Sequence, residues 1–277
     1  MSAQDRVAGS TGTGSTGMRL DTGVPHIARV FNVWLGGKDN YQADREAAAR
    51  VMAAFPGITA SVRAQRAFLG RAVNYLVADA GIRQFLDIGT GLPTASNTHE
   101  VAQRTAPEAR VVYVDNDPIV LAHARALLTG SAAGATDYID GDLRDTGEVL
   151  AQAARTLDFA QPLAVMLLGV LHCIPDGDDP YGVVRRLMAS VPSGSYLVLA
   201  HPASDVATEQ MARSTQAYNE QGPEQLTMRT HAQVSRFFDG LDLVPPGLVQ
   251  LHRWRPGTGS LGTAQELPNY GGVARKP

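Results

Sequence analysis

Three aspartates at regular intervals are the residues of this sequence best placed to do chemistry. Asp87, Asp115 and Asp142 each follow a short apolar run, and they are 28 and 27 residues apart. Each interval is the length of about one strand and one helix. The carboxyl ends of parallel strands meet at one edge of a sheet, where open α/β folds bind their ligands. We therefore expect three carboxylates along a single ligand-binding edge.

A glycine turn follows the first of these strands, where Gly89 and Gly91 flank Thr90. Glycines at such positions let the chain turn sharply and let a ligand approach the backbone. Asn97 and Glu100 have the spacing of a capping box, so the next helix is expected to begin there. Its free N–H groups would face an anionic group of the ligand.

This edge suits S-adenosylmethionine better than a dinucleotide. A nicotinamide or flavin site needs a third glycine three positions after the second, and Thr94 occupies that position. S-adenosylmethionine carries an ammonium, a sulfonium, a ribose diol and an adenine amine, and carboxylates accept hydrogen bonds from such donors strongly. We expect Asp87 to bind the ammonium and Asp115 the ribose hydroxyls. Asp142 would accept from the adenine amine, with Leu143 over the ring.

Further residues complete the predicted site. Asn116 and Gly169 adjoin the strand ends, and Arg63 or Arg66 on the preceding helix could pair with the methionyl carboxylate. His172 follows the fourth strand and His201 ends the fifth. Each histidine is a candidate base or acceptor-positioning group, and the alternative for each is a hydrogen bond to neighbouring backbone.

Alternating strand and helix patterns must position these residues. Strands are predicted at 83–88, 110–115, 136–140, 163–170 and 195–200, with helices near 97–105, 117–128, 146–156 and 181–190 between them. A helix over 62–77 precedes them, and helices near 205–221 and 230–239 follow. Two apolar runs within 241–254, joined by Pro-Pro-Gly, are expected to pair antiparallel and close the sheet. The alternation predicts an α/β fold with a parallel sheet.

The ends of the chain differ from its centre. Residues 1–20 are rich in Gly, Ser and Thr and are expected to form a flexible tail. Residues 21–277 are expected to form one domain, with an N-terminal arm (21–60), a core (61–256) and a C-terminal extension (257–277). Within the arm, residues 32–41 combine aromatic side chains with adjacent glycines, which predicts a lid over the cofactor. The alternative is an ordinary packed arm with Trp34 in an apolar seam.

Composition and charge argue against several classes of protein. The 277 residues carry a net charge of −3, which argues against nucleic acid as the main partner. The single cysteine, Cys173, excludes an internal disulfide. The sequence shows neither a membrane-length apolar run nor a signal pattern, so a cytoplasmic protein is expected. The carboxylates of Asp176, Asp178 and Asp179 suit a helix-capping turn better than a metal site, and no metal is predicted.

Several segments of the sequence resemble a known family. They are residues 32–44 (NVWLGGKDNYQAD), 83–99 (RQFLDIGTGLPTASNTH), 111–118, 171–180, 194–201, 238–247, 254–256 and 270–276. Together they span about residues 25–277 and resemble class I S-adenosylmethionine-dependent methyltransferases. More closely, they resemble a bacterial S-adenosyl methyltransferase family long filed as a domain of unknown function.

That resemblance implies a fold and a cofactor site. The fold is a Rossmann-like, seven-stranded, mostly parallel sheet with an antiparallel C-terminal strand and helices on both faces. The cofactor residues it implies are Asp87, Gly89, Gly91, Asp115 and Asp142. The resemblance does not supply the methyl acceptor.

Two functions remain open at this point. The first is an enzyme that methylates oxygen, nitrogen or carbon of a small molecule. The segment from Gly169 to His172 lacks the Asn/Asp-Pro-Pro-aromatic string of amino methylation, which argues against DNA or glutamine amide as the acceptor. The second is a module that binds S-adenosylmethionine as a sensor without transferring its methyl group.

Overall fold

Strands and helices alternate along the chain as the sequence predicts. The computed structural model describes residues 21–94, 96–127, 130–220, 222–257 and 266–277, and the tail expected at 1–20 lies outside these ranges. The strands are β1 (Gln84–Ile88), β2 (Arg110–Asp115), β3 (Ala135–Asp140), β4 (Ala164–Leu168), β5 (Tyr196–Pro202), β6 (Asp242–Leu243), β7 (Val249–Gln250) and β8 (Asn269–Arg275). The α-helices are α1 (Ile27–Trp34), α2 (Gln42–Ala54), α3 (Ile58–Ala78), α4 (Thr98–Thr105), α5 (Pro118–Leu127), α6 (Thr146–Ala153), α7 (Pro180–Ala189), α8 (Thr208–Asn219) and α9 (His231–Ser235).

All of these strands belong to one sheet in the order β3-β2-β1-β4-β5-β8-β6, with β7 also paired to β8. Strands β1 to β5 are parallel, and β8 is antiparallel to β5. The chain leaves β1 toward one edge of the sheet and later returns to its other side at β4. This reversal of strand order creates a crevice at the carboxyl ends of the strands, which is where ligands bind in such sheets.

The predicted pairing of the two apolar runs within 241–254 is wrong. Strands β6 and β7 both pair antiparallel with β8, along its same edge. They therefore act as one interrupted strand, and the sheet has seven strand positions among the described residues. Strand β8 lies inside the predicted C-terminal extension. Its Gly271 and Gly272 weaken the strand signal in the sequence, since glycine is depleted in strands.

Helices cover both faces of the sheet, as the resemblance implies. Neighbouring residues of β1 point to opposite faces, so Phe85 joins the core under α3 and α4 while Leu86 joins the core under α6 and α7. Strands β1 and β4 are buried along their whole length, as expected for parallel strands packed on both sides. None of the described helices is long and apolar enough to cross a membrane.

Local signals explain where α3 and α4 lie. The buried residues Phe68, Leu69, Ala72, Val73, Leu76 and Val77 recur on one side of α3, at the spacing of an amphipathic helix. Asn97 and Glu100 form the predicted capping box at the start of α4. The helix therefore begins directly beside the glycine turn that follows β1.

The N-terminal arm is a helical hairpin fixed by a buried carboxylate. Asp44 is fully buried, and it accepts hydrogen bonds from the backbone N–H groups of His26 (2.9 Å) and Tyr41 (2.8 Å). The guanidinium of Arg29 lies 3.2 Å from the same carboxylate. Trp34 packs in an apolar seam and donates its indole N–H to the carbonyl of Ala48. The arm is thereby held in one arrangement beside the core.

Candidate active site

A cavity of about 530 Å³ lies at the carboxyl ends of the central strands. Small-molecule sites commonly measure roughly 300–1,000 Å³. The residues predicted to hold the cofactor all line this cavity: Arg66, Asp87, Gly89, Thr90, Gly91, Asp115, Asn116, Asp142, Leu143 and Gly169. The fold thus brings together side chains from four strand ends and from α3.

Gly89 and Gly91 shape the turn after β1. Their φ angles are +72° and +64°, a region that glycine enters without steric cost. The N–H of Gly89 donates to the carbonyl of Val114 (2.8 Å), which ties the turn to the end of β2. A Cβ on Gly89 would lie 2.5 Å from Val170, whereas a Cβ on Gly91 would meet nothing within 4 Å. The backbone at Gly91 is therefore open to a ligand.

Asp115 is buried at the end of β2 and holds the turn in place. Its Oδ2 accepts from the N–H of Gly91 (2.8 Å), and its Oδ1 accepts from the N–H of Asp117 (3.0 Å). Burial raises the pKa of Asp115, and these two hydrogen bonds offset part of the rise. Each carboxylate oxygen has a second lone pair. The group can therefore still accept hydrogen bonds from two ligand hydroxyls.

Asp87 is buried at the end of β1. Its Oδ2 accepts a 2.6 Å hydrogen bond from the hydroxyl of Thr98, in the first turn of α4. Burial raises the pKa of Asp87 to about 6, although the Thr98 hydrogen bond and the Arg66 charge pull it down. A carboxylate in such surroundings is ionised more easily when a cation binds beside it. A ligand ammonium would be such a cation.

Arg66 extends from α3 toward the same end of the cavity. Its guanidinium donates to the carbonyl of Ser96 (3.1 Å) and lies 3.4 Å from Oδ1 of Asn97. Burial lowers the pKa of Arg66, while the charge of Asp87 opposes this change. Guanidinium groups remain protonated in proteins, and their paired N–H donors match a carboxylate.

Asp142 occupies the opposite end of the cavity. Its carboxylate accepts from Nε of Arg144 at 2.9 Å and also from Nη2 of that residue. These hydrogen bonds hold the pKa of Asp142 below its usual range, so it is ionised at neutral pH. The buried side chain of Leu143 adds apolar surface beside it. Arg144 also lines the cavity, and no motif in the sequence marks it.

The arm covers the cavity from above. Ile27, Ala28 and Phe31 of α1 line it, and residues 223–225 face them from another side. Of the predicted lid at 32–41, Asn32 and Leu35 line the cavity. The segment that covers the cavity therefore begins at α1, earlier in the chain than the lid predicted at 32–41.

His26, just before α1, contacts two other segments of the chain at the cavity wall, one after β2 and one after α8. Its Nδ1 lies 3.0 Å from Oδ2 of Asp117, and its Nε2 lies 3.5 Å from Oε1 of Glu224. Glu224 also accepts from the hydroxyl of Tyr218 (3.0 Å). Burial alone would lower the pKa of His26, but the hydrogen bond and charge of Asp117 and the charge of Glu224 raise it overall. Neither His26 nor Glu224 lies in a recognisable motif, so sequence reasoning missed both.

The two candidate catalytic histidines lie outside the wall of this cavity. His172 follows β4 in a 3₁₀ turn and lines a second, smaller cavity. Burial lowers its pKa to about 4. The ring nitrogens of His201 lie 2.8 Å from the carbonyl oxygen of Pro202 and 3.0 Å from Nη1 of Arg229. Both nitrogens of His201 are thus engaged within the fold, and the roles predicted for the two histidines stay predictions.

The acidic cluster after β4 forms the predicted helix-capping turn. Asp179 accepts from the N–H of Gly182 (2.9 Å) at the start of α7. Asp176 pairs with the buried guanidinium of Arg229 at 2.7 Å. Across the described parts of the chain, no group of three or more His, Cys, Asp or Glu side chains could hold a metal ion.

Comparison with known proteins assigns the chain to a family. Residues 13–277 match the S-adenosyl methyltransferase family. The chain belongs to this family. No curated protein matches this S-adenosyl methyltransferase in sequence.

Solved structures resemble this S-adenosyl methyltransferase over nearly its whole length. A DUF574 family protein from Streptomyces avermitilis MA-4680 is 42% identical, with a TM-score of 0.90 over 94% of this chain and 100% of its own. A candidate methyltransferase from Thermobifida fusca YX is 38% identical, with a TM-score of 0.84 over 92% and 96%. A mitomycin 7-O-methyltransferase shares the fold at 17% identity, with a TM-score of 0.50 over 79% and 56%. The predicted Rossmann-like methyltransferase fold is confirmed.

The protein is therefore an S-adenosylmethionine-dependent methyltransferase, and the residues present fit that cofactor. The open backbone at Gly91 and the spare acceptor capacity of Asp115 suit a ribose at the end of β2. The buried carboxylate of Asp87 and the guanidinium of Arg66 suit the two charged groups of an amino acid. The cofactor predicted from the sequence is confirmed by the family.

Proposed function

We propose that this methyltransferase acts on a small molecule that enters the cavity beneath α1. The roofed cavity is the observation that carries the proposal. Phe31 and Leu35 cover it from the arm, and residues 223–225 approach from another side. A concave site of about 530 Å³ enclosed in this way suits a small acceptor better than a polymer.

Charge on the cavity wall supports the same proposal. Asp178 and Glu224 line the cavity in addition to the three carboxylates of the cofactor edge. The whole chain carries a net charge of −3. The guanidinium groups of Arg66 and Arg144 also line the cavity, but carboxylates are in excess among the described lining residues. A polyanion such as nucleic acid would therefore be repelled. A neutral or cationic small molecule would not.

We assign the cofactor contacts by chemical fit. The Asp115 carboxylate accepts from the ribose hydroxyls, and Asp87 pairs with the ammonium. Arg66 pairs with the methionyl carboxylate. At the other end of the cavity, Asp142 accepts from the adenine amine and Leu143 packs on the ring. Paired and charged hydrogen bonds of this kind fix the cofactor in one orientation.

The bound cofactor supplies an electrophilic methyl group on a sulfonium. The protein contributes alignment and a dry cavity, which are the main requirements of an in-line displacement. Ile27 and Phe31 line the site from α1, and Gly169 and Val170 line it from the segment after β4. A base is needed only when the accepting atom is protonated at neutral pH. We propose His172 as an acceptor-positioning group, because it lines the adjoining smaller cavity.

Calorimetry followed by a turnover screen tests this proposal. Titration with S-adenosylmethionine, S-adenosylhomocysteine and NAD is expected to give binding of the first two and none of NAD. A screen of phenols, amines and carboxylic acids, read by mass spectrometry, should then give a product heavier by one methyl group in place of hydrogen. Methylation of DNA or RNA without methylation of any small molecule would refute the proposed acceptor class. Donor binding without transfer in any screen would favour the sensor.

A further inference from the structure

A second cavity of about 50 Å³ adjoins the large one. Ile27, Phe31 and Gln65 line both cavities and form the partition between them. Gln65 is fixed in this partition because its side-chain amide donates to the carbonyl of Leu168 (2.8 Å) at the end of β4. The two cavities therefore meet at side chains of α1 and α3.

The smaller cavity has an uncharged wall. Its apolar lining comes from Trp34, Val51, Phe55, Ile58, Val62, Met211, Leu226 and Met228. No Asp, Glu, Lys or Arg is among the described residues that line it. A buried charge without a partner carries a large desolvation penalty. Carboxylate and ammonium groups are therefore excluded from this space.

Two polar atoms on the wall lack a partner. The Ser61 hydroxyl and Nδ1 of His172 are buried and make no hydrogen bond within the described parts of the chain. Their residues are 1% and 2% exposed, and both line the smaller cavity. Another serine of the same wall differs, since the Ser214 hydroxyl donates to the carbonyl of Met211 (3.0 Å). Buried polar groups are normally paired, so these two atoms point to a missing partner.

We propose that the smaller cavity is a subsite for the methyl acceptor, and that it takes a short aliphatic substituent ending in a hydroxyl group. This inference rests on the small-molecule acceptor proposed above. A hydroxyl both donates and accepts, so it suits both the Ser61 hydroxyl and Nδ1 of His172. An engineered cavity of about 150 Å³ holds a benzene ring, whereas this cavity measures about 50 Å³. An aromatic ring is thus too large.

The probe that tests this subsite is 1-propanol, added to the full chain bound to S-adenosylhomocysteine. Imidazole ¹⁵N signals report on the site, and the variant His172→Gln assigns the signal of His172. We expect 1-propanol to shift that signal saturably, and propionate and propylammonium to leave it unchanged. Ser61→Ala should weaken the response to 1-propanol about three- to tenfold through loss of one hydrogen bond. Ser214→Ala, which removes a hydroxyl already paired with Met211, should change it less than twofold.

Calorimetry of S-adenosylhomocysteine on the same samples separates this inference from the proposed function. Retained binding with no saturable 1-propanol response, or an equal response to propionate, would overturn the subsite and leave methyl transfer standing. A crystal structure of the complex with a water bridging Ser61 and His172 that 1-propanol does not displace would also overturn it. Loss of S-adenosylhomocysteine binding by the wild-type chain would instead count against the proposed function. The three probes are compared on wild-type protein, and His172→Gln serves only to assign the reporting signal.

Discussion

At the residue scale, the cofactor edge concentrates buried negative charge. Asp87 and Asp115 are both buried, and burial raises the pKa of each. The charge of Asp115 also contributes to the raised pKa of Asp87. These buried carboxylates destabilise the empty site, and hydrogen-bond donors or cations on the ligand offset that destabilisation. Carboxylates with shifted pKa values are common at functional sites.

Replacement of Asp115 by asparagine should weaken S-adenosylmethionine binding about tenfold to a hundredfold. Hydrogen bonds to a charged acceptor contribute about 1.5–3 kcal/mol, and the asparagine side chain lacks one of the two acceptor oxygens. Calorimetry measures the change. Asp140→Asn is the matched control, because Asp140 lies opposite Asp115 on β3 and is exposed. Equal affinities for the two variants would contradict the role assigned to Asp115.

Binding of S-adenosylmethionine should also weaken as the pH falls through about 6. Asp87 has a pKa of about 6 in the empty site, and a bound ammonium favours its ionised form. Below that pH the carboxyl must lose a proton for the pair to form, so the affinity should fall about tenfold per pH unit. The Arg66 charge lowers this pKa and the Asp115 charge raises it. Calorimetry at a series of pH values measures the slope, and Asp87→Asn should abolish most of it. A slope that persists in the variant would assign the titration to another group.

At the element scale, the sequence predicts the strands that bury apolar residues on both faces. Phe85 and Leu86 of β1 are both apolar because each faces a helical layer, and this signal located the parallel strands within a few residues. Strand β8 carried no such signal, since Gly271 and Gly272 occupy its centre. The pairing predicted within 241–254 is wrong for the same reason. Both runs pair with β8, and the sequence of β8 does not indicate a strand.

Those glycines are required by packing, which gives an element-scale prediction. A Cβ on Gly271 would lie 2.4 Å from Leu251 and 3.1 Å from Phe68. Gly271→Ala should therefore lower the free energy of unfolding by about 1–3 kcal/mol, as overpacked cores do. Urea denaturation measures the loss. Gly257→Ala is the control, since a Cβ there would meet nothing within 4 Å. Similar losses in the two variants would show that the effect is not due to packing at β8.

The residues of the candidate site also differ in how well the sequence predicts them. Residues held by the strand ends were predictable, because Asp87 and Asp115 follow apolar runs directly. Residues that reach the cavity by tertiary contact were not. His26 arrives from the arm and Glu224 from the segment after α8, and each is isolated in the sequence among residues of no clear pattern. Asp117, which contacts His26, lies far from both residues in the sequence and does not predict them.

At the scale of the whole molecule, the arm is joined to the core by charges that meet at the cofactor edge. His26 at the start of α1 contacts Asp117 after β2 and Glu224 after α8. Arg29 adds a contact to Asp117 at 3.7 Å. The cover of the cavity and the strand end that holds Asp115 are therefore mechanically connected. A change at the His26 contact should alter how firmly the arm closes over the site.

The His26 contact should make the stability of the protein depend on pH. The charges of Asp117 and Glu224, with a smaller contribution from Asp115, raise the pKa of His26 above 6.5 in the folded protein. Its stabilisation is therefore fully present below about pH 6.5 and is lost as the pH rises through the raised value. The difference in unfolding free energy between the wild type and His26→Gln should shrink between about pH 6 and about pH 9, by on the order of 1 kcal/mol or less for a partly exposed pair.

Urea denaturation at each pH measures this difference, and comparison with the variant cancels pH effects from other groups. His252→Gln is the control, because burial lowers the pKa of His252, so the same comparison should not shrink as the pH rises. The wild type should also gain resistance to limited proteolysis within residues 26–44 at the lower pH, whereas His26→Gln should not. The reason is that the protonated imidazole of His26 holds the start of α1 against two carboxylates. A difference that stays constant or grows with rising pH would mean that His26 remains neutral in the fold and that its charge does not hold the arm.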